Sequence, residues 1–226
     1  MTALPAARAA APTVAVDVAV FSVVDGRLSV LVVEVRHGPF AGWWALPGGR
    51  VGHDESLDDA AARELSEQTG LRDIWLEQLY TFGSPTRDPQ DRIVSVAYVA
   101  LIAHGGRFLE PTRGGKYADV RWQPVGDLPS LAYDHVAVVE TAVARLRAKL
   151  AYTNLVYALL PSTFTLGELQ AMYEAILDRR LDRRNFRKKV LSLGLLRPVG
   201  RERRGPHRPA ALYAFRHRRP MVVQVL

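Results

Sequence analysis

Gly49-Arg50-Val51-Gly52-His53-Asp54-Glu55-Ser56-Leu57-Asp58-Asp59-Ala60-Ala61-Ala62-Arg63-Glu64-Leu65-Ser66-Glu67-Gln68-Thr69-Gly70-Leu71 is the stretch on which the reading of this 226-residue chain turns. Leu57, Ala61 and Leu65 recur every four residues, as on one face of a helix, and Gly70 stands where a left-handed stop belongs. Glu64, Glu67 and Gln68 are spaced i, i+3 and i+4. A helix over Leu57 to Thr69 therefore brings them onto one face, away from the apolar stripe. Oxygen ligands crowded on one face suit Mg²⁺, which takes carboxylates together with phosphate oxygens and water. Glu55 and Arg63 carry opposite charges and can hold the glycine-rich loop against the helix. The plain alternative is a solvated helix whose three polar residues face water.

Upstream, Val14 to Val24 and Leu28 to Val35 are Val-rich runs joined at Asp25-Gly26. That is a hairpin signal, because both central residues of a type I′ turn take positive φ. A Gly- and Pro-rich segment, Gly38 to Gly52, carries Phe40, Trp43, Trp44 and Leu46-Pro47-Gly48-Gly49 into the quoted stretch. Downstream, strands are expected at Ile74 to Phe82, Ile93 to Ala103 and Tyr117 to Pro124, then a helix at Asp134 to Lys149. Strands followed by helices indicate an α+β or sandwich-type domain. Met1 to Pro12 is Ala- and Pro-rich with only Arg8 charged, and reads as a disordered tail in the cytoplasm, lacking the features of a secretory signal. No apolar run is long enough to span a membrane; Asp17 interrupts the best one. The absence of cysteine excludes disulfides, thiolate metal sites and a cysteine nucleophile.

The formal net charge of +7 conceals a division. Residues 1–150 hold 15 Lys and Arg against 18 Asp and Glu, whereas residues 151–226 hold 15 against 5. A mildly acidic body joined to a strongly basic unit suggests two tasks, one of them performed on a polyanion. The second unit begins with an expected apolar helix at Tyr152 to Leu160, ended by Pro161. Thr165-Leu166-Gly167-Glu168 is a capping-box pattern, followed by the stripe Leu169, Met172, Tyr173 and Ile176. Asp182 caps the next helix, which Gly194 terminates. Leu195 to Val199 and Ala211 to Phe215 then flank a basic loop. That order is a winged helix-turn-helix.

On the Asp182 helix, Phe186, Val190 and Leu193 form the apolar stripe, while Arg184, Arg187 and Lys188 point away, with Arg183 and Asn185 near the N-terminus. A recognition helix reads base edges from its first turns, where Arg suits guanine and Asn suits adenine. The candidate DNA contacts are Thr165, Arg183, Arg184, Asn185, Arg187 and Lys188, with Arg201, Arg203, Arg204, His207 and Arg208 in the wing. RNA or an acidic protein are the other partners such a surface suits. No aromatic stacking platform for single strands is evident, so duplex DNA leads.

The spacing from Gly49 to Leu71 resembles the Nudix box: a glycine, five residues, a glutamate, seven residues, then Arg-Glu-x-x-Glu-Glu-x-Gly. Trp44-Ala45-Leu46-Pro47-Gly48-Gly49 and Val120-Arg121-Trp122 are similar to the family as well. The resemblance implies a Nudix fold over residues 13–150, a mixed sheet between helices that binds nucleoside diphosphates linked to another group. One position departs: Gln68 stands where the family has the second Glu of its pair. One charge at about 4 Å is worth on the order of 4 kcal/mol at an effective dielectric of ~20, before desolvation offsets it. Glu64 and Glu67 are thus left as weak Mg²⁺ ligands, in a site that binds but hydrolyses poorly. Many family hydrolases draw a further acid from the loop before the Trp, which here offers Glu110 and Asp119. Arg36, Arg87 and Arg92 suit phosphates, Trp43 or Trp44 suits adenine, and Gly48 and Gly49 line the approach. The prolines within Tyr80 to Pro89 are placed as in Nudix proteins that handle ADP-ribose.

Both halves together resemble the Nudix-related transcriptional regulators, the NrtR-like family. The residues that carry this are Phe164-Thr165-Leu166-Gly167-Glu168-Leu169-Gln170, Arg184-Asn185-Phe186-Arg187-Lys188-Lys189, His207-Arg208-Pro209-Ala210-Ala211-Leu212-Tyr213 and Arg92-Ile93-Val94-Ser95-Val96-Ala97-Tyr98. The resemblance implies three parts: a tail over 1–12, a Nudix-like sensor over 13–150 and a winged helix over 151–226. It also implies a homodimer on a palindromic operator, repressing NAD biosynthesis genes until ADP-ribose or a related NAD metabolite binds. No catalytic role and no required cofactor are expected of the altered box, and Lys149 to Leu160 is the expected mechanical link. The alternative is an active Nudix ADP-ribose pyrophosphatase with an accessory nucleic-acid-binding domain.

Overall fold

A hairpin opens the chain: β1 (Thr13–Val24) turns at Asp25 and Gly26, both at positive φ (48° and 75°), into β2 (Arg27–Val35). The structure is a computed structural model that describes residues 11–103, 116–203, 209–223 and 225. Glu110, Arg204, His207, Arg208 and most of the expected tail lie outside the described residues. β1 and β2 pair only near the turn, from Phe21 with Val30 to Val24 with Arg27. Beyond that they part, and the Pro-Gly segment fills the gap: β3 (Trp44–Ala45) pairs with β2, and β4 (Gly48–Arg50) pairs with β1.

β6 (Ile93–Leu101) runs parallel to β1 from Thr13 to Phe21, with β5 (Leu76–Phe82) antiparallel outside it and β7 (Tyr117–Pro124) antiparallel on the far side of β2. The result is a seven-stranded mixed sheet. Side chains alternate across it, as strand geometry demands. Val16, Val18 and Val20 pack with Ala60, Ala61 and Leu65 of α1 (Leu57–Thr69). Ala19, Phe21 and Val23 pack on the opposite face with Val138, Val139 and Leu146 of α2 (His135–Tyr152). Ser56 caps α1 by accepting the Asp59 N–H, and Gly70 stops it at φ 74°.

The expected helix over Tyr152 to Leu160 is not formed as such. α2 runs on through Tyr152, Thr153 is extended (φ −140°, ψ 164°), and only a 3-10 turn, Leu155–Ala158, follows. The break has a physical cause: Thr153 spends its hydroxyl on the Lys149 carbonyl, and the Asn154 side chain is taken by the C-terminal tail.

The second unit consists of β8 (Phe164–Thr165), α3 (Leu166–Leu177), α4 (Arg183–Ser192), β9 (Leu196–Arg203) and β10 (Ala210–Phe215). Its three strands are ordered β8-β10-β9. This is the winged helix-turn-helix arrangement behind a Nudix-type mixed sheet, an α+β structure throughout. The core does not stop at the boundary. Leu28 and Val30 of the sheet, Leu146 and Leu150 of α2, and Leu155, Phe164, Leu169 and Ile176 of the second unit belong to one apolar cluster. All four tryptophans, at 43, 44, 75 and 122, lie in the first unit. Leu150→Ala should therefore cost about 2–5 kcal/mol. It should lower the tryptophan-fluorescence and far-UV circular dichroism transitions together in urea unfolding, and separate midpoints would contradict a shared core.

Candidate functional site

The loop ahead of α1 is closed by charge. Arg63 donates Nε to Glu55 Oε2 (2.9 Å) and NH2 to Glu55 Oε1 (2.6 Å), with a further bond to the Arg50 carbonyl (3.2 Å). Gly52 N–H donates to Glu55 as well, at 2.5 Å. These bonds, that of Arg63 foremost and that of Gly52 next, depress the Glu55 pKa to about 2. Arg50, Gly52, Glu55, Arg63 and Glu64 line an open depression of about 530 Å³. A cavity of about 1000 Å³ lies elsewhere, at the boundary of the two units, and holds none of the box residues.

The face expected to carry three metal-type ligands is split. Glu67 has a side chain 61% exposed, whereas Glu64 and Gln68 are buried. The Gln68 carboxamide closes on Gly48: Oε1 accepts the Gly48 N–H (2.9 Å) and Nε2 donates to the Gly48 carbonyl (2.9 Å). Nε2 also donates to Glu64 Oε2, while Arg63 NH1 donates to Glu64 Oε1 at 2.8 Å. Two N–H donors, one of them on Gln68, thus occupy both oxygens of the best-placed carboxylate. Gly49 is required here, because a Cβ would run into the Glu64 carboxyl group. Gly48 is required too, since a Cβ would meet the Val16 carbonyl and lie 2.7 Å from Asp17 Oδ1. Among the described residues no cluster of three or more His, Cys, Asp or Glu side chains could hold a metal. Both Glu64 oxygens are thus engaged within the protein, while Glu67 stands on the exposed side of the helix.

Behind Gly48 lies a cluster that sequence reasoning missed. Asp17 is buried in β1 and bonds to Ser95 Oγ (2.6 Å), Arg87 NH2 (3.0 Å) and His135 Nε2 (3.2 Å). Arg87 also grips Asp134 with Nε and NH2, the shortest contact being 2.7 Å. His135 Nδ1 accepts the Leu46 N–H at 2.9 Å, which puts the ring proton on Nε2, toward Asp17. Burial alone would raise the Asp17 pKa, but His135, Arg87 and Ser95 outweigh it and hold the carboxyl well below the usual carboxylate range. The only signal in the sequence was Asp17 itself, a charge inside an apolar strand.

Of the proposed ligand contacts, Arg36 and Arg92 are exposed, and Arg92 follows Asp91, which pairs with Arg50 at 2.7 Å. Arg87 is turned inward; its side chain is 4% exposed and its Nε and NH2 groups donate to Asp134 and Asp17. Trp44 is half-buried with the Arg121 guanidinium 3.8 Å from its ring centre, so that face is taken. Trp43 is 44% exposed and leans on Phe40, which in turn packs on Tyr133. Trp43 is the better-presented indole.

In the second unit α3 starts with a full capping box between Thr165 and Glu168. The Thr165 hydroxyl thereby caps its own helix. The Glu174 carboxylate stitches the turn, accepting from Leu181 N–H (2.9 Å), Gln170 Nε2 (3.0 Å) and Arg180 NH1 (3.1 Å). Asp182 caps α4 through the Asn185 N–H. Arg183, Arg184, Asn185 and Lys188 are exposed on α4. Arg187 is half-buried, and among the described residues its Nε is buried without a partner. Arg201 is exposed on the wing strand, while Arg203 pairs with Glu168. That pair neutralises one carboxylate and one guanidinium at the base of the wing.

A Nudix-type body carrying a winged helix is the class of protein that these two sites define. Residues 13–145 match the NUDIX domain, and residues 156–215 match the NrtR DNA-binding winged helix domain. The ADPR responsive transcriptional repressor NtrR of Acinetobacter baylyi is 35% identical over 206 residues, 90% of this chain and 82% of that protein. The crystal structure of Shewanella oneidensis NrtR complexed with a 27mer DNA superposes with a TM-score of 0.77 at 34% identity, covering 90% of this chain and 93% of that one. The NUDIX domain of the same protein complexed with ADP ribose gives 0.56 at 35% identity, over 61% and 90% of the two chains. This chain belongs to the NrtR family of Nudix-related transcriptional regulators.

Two outcomes follow from the geometry. The Glu55 carboxyl, followed by NMR, should titrate near pH 2. Arg63→Ala should raise it toward the ordinary carboxylate range, with the Gly52 N–H still holding it somewhat below. Because the folded-state pKa is the lower one, the stabilisation from this pair is full above that ordinary range and is lost as the pH falls toward the folded value. Arg87→Met should cost about 3–5 kcal/mol in urea unfolding, since it removes the guanidinium shared by two carboxylates, one of them buried.

Proposed function

We propose that this chain is a DNA-binding transcriptional repressor of NAD biosynthesis genes, in which the Nudix body holds ADP-ribose or a related NAD metabolite without hydrolysing it. The observation that carries the reading is the Gln68 carboxamide, closed on Gly48 and Glu64 with N–H donors where a hydrolase would present a second carboxylate. A site so neutralised binds a diphosphate through Arg36, Arg50 and Arg92 and offers Trp43 to a base, with no resident metal required. Known relatives that answer to ADPR and bind DNA support the same reading.

The winged helix presents Arg183, Arg184, Asn185 and Lys188 at the start of α4, the position from which a recognition helix reaches base edges in the major groove. Two copies in a homodimer place two such helices on a palindromic duplex, and the setting is the cytoplasmic nucleoid. Among the described residues no helix is long and apolar enough to cross a membrane. Effector and operator oppose each other by linkage: the effector favours a placement of the basic units that no longer matches both half-sites.

The test is binding by calorimetry and fluorescence anisotropy. ADP-ribose should bind in EDTA and weaken the affinity for a duplex operator about 5–150-fold. Duplex affinity should fall with salt, at a log–log slope of about −0.9 per phosphate contacted. With ADP-ribose and Mg²⁺ the parent should show little turnover and Gln68→Glu should show more. Parent turnover equal to that of an ordinary Nudix pyrophosphatase would establish the enzyme reading instead.

A further inference from the structure

The chain does not stop at the winged-helix sheet. After β10, which ends at Phe215 where the family match ends, it runs back over the joint between α2 and the second unit. Arg216 N–H donates to the Leu195 carbonyl at 2.9 Å. The Arg218 guanidinium then donates to three carbonyls at the end of the 3-10 turn: Tyr157 (2.7 Å), Leu160 (2.8 Å) and Pro161 (3.0 Å). Asn154 is 1% exposed and sits at the break between helix and turn. Its amide donates to the Arg219 carbonyl (3.1 Å) and accepts the Met221 N–H (2.8 Å). Val223 and Val225 N–H groups reach the carbonyls of Tyr152 (2.8 Å) and Ala151 (2.9 Å).

Each of these contacts answers a need of the joint. The last carbonyls of a helix have no partner within it, and the tail supplies donors to two of them. Carbonyls gathered at a helical C-terminus carry partial negative charge, which a guanidinium complements. Val225 is 2% exposed and lies in the core shared by the two units. Packing alone does not close the boundary elsewhere. Between Arg27, Pro124 and Leu128 of the body and Ala171, Ala175 and Arg179 of the second unit lies a cleft of about 1000 Å³. Across it, Arg147 of α2 donates Nε to the Ile176 carbonyl at 2.8 Å.

We propose that residues 216–223 together with Val225 form an interdomain clamp, with Asn154 and Arg218 as its positioning residues. The clamp sets where the winged helix stands on the end of α2. It thereby transmits the state of the Nudix body to the DNA-binding face, a last step that rests on the function proposed above.

The experiment uses the full chain, whose lack of cysteine lets Asp127→Cys and Leu191→Cys carry spin labels uniquely. Pulsed-EPR distances in label-diluted protein should give one narrow distribution for the parent. Arg218→Ala, Asn154→Ala and a chain ending at His217 should each give a broad or displaced distribution, with circular dichroism and tryptophan fluorescence unchanged. The second readout is affinity for a self-complementary duplex selected by the parent from a random pool, with and without ADP-ribose. The parent's effector-induced change, about 5–150-fold, should shrink to about 2-fold or less in the clamp variants while each ligand alone still binds. Folded variants that keep the parent's distances and its response would overturn the clamp. If the shortened chain unfolds, the two single substitutions decide, because they leave Val225 in place. If the parent ignores ADP-ribose, the proposed function fails, and the distance measurements still judge the clamp.

Discussion

One carboxylate inside an apolar sheet organises the body. Asp17 sits on the α2 face of β1, and its backbone pairs with Gly48. Its side chain draws Ser95 from β6, Arg87 from the loop after β5 and His135 from the first turn of α2. A buried charge is tolerated only when paired and hydrogen-bonded, so these elements are held to a single reference point. Asp134 shows how far that demand reaches. It precedes α2 in the N-cap position yet makes no side-chain cap, because its oxygens serve Arg87. The link between β3 and β4 is tied to the same point through the Leu46 N–H and His135.

α2 carries this reference to the other end of the molecule. Its first turn lies in the Asp17 cluster, and its last turn, in the grip of the C-terminal tail, carries Lys149, which pairs with Glu77 of the sheet. The shared core makes the two units one mechanical body rather than two beads on a string. Division of labour is electrical: residues 1–150 hold 15 Lys and Arg against 18 Asp and Glu, whereas residues 151–226 hold 15 against 5.

The altered Nudix box fits that division. A second carboxylate at position 68 would add negative charge beside Glu64 and lose the donor that reaches the Gly48 carbonyl. The amide instead satisfies Gly48 in both directions and leaves Glu64 paired. Residue 68 has become a strut.

How much of this was legible follows from distance along the chain. The hairpin at Asp25-Gly26, the span of α1 with its stop at Gly70, the capping box at Thr165 and the Asp182 cap depend on residues two to four apart, and periodicity reports such neighbours directly. The sequence by itself therefore determined the two kinds of unit, the box and the basic helix. Only the tertiary structure decided that Arg87 serves Asp17, 70 positions away, instead of a ligand. It likewise turned Glu64 and Gln68 inward, paired Arg203 with Glu168 and broke the helix expected after Tyr152. These outcomes depend on which surfaces meet and which donors are left unpaired when they do. Burial sets the cost of an unpaired charge, and burial is a property of the folded assembly.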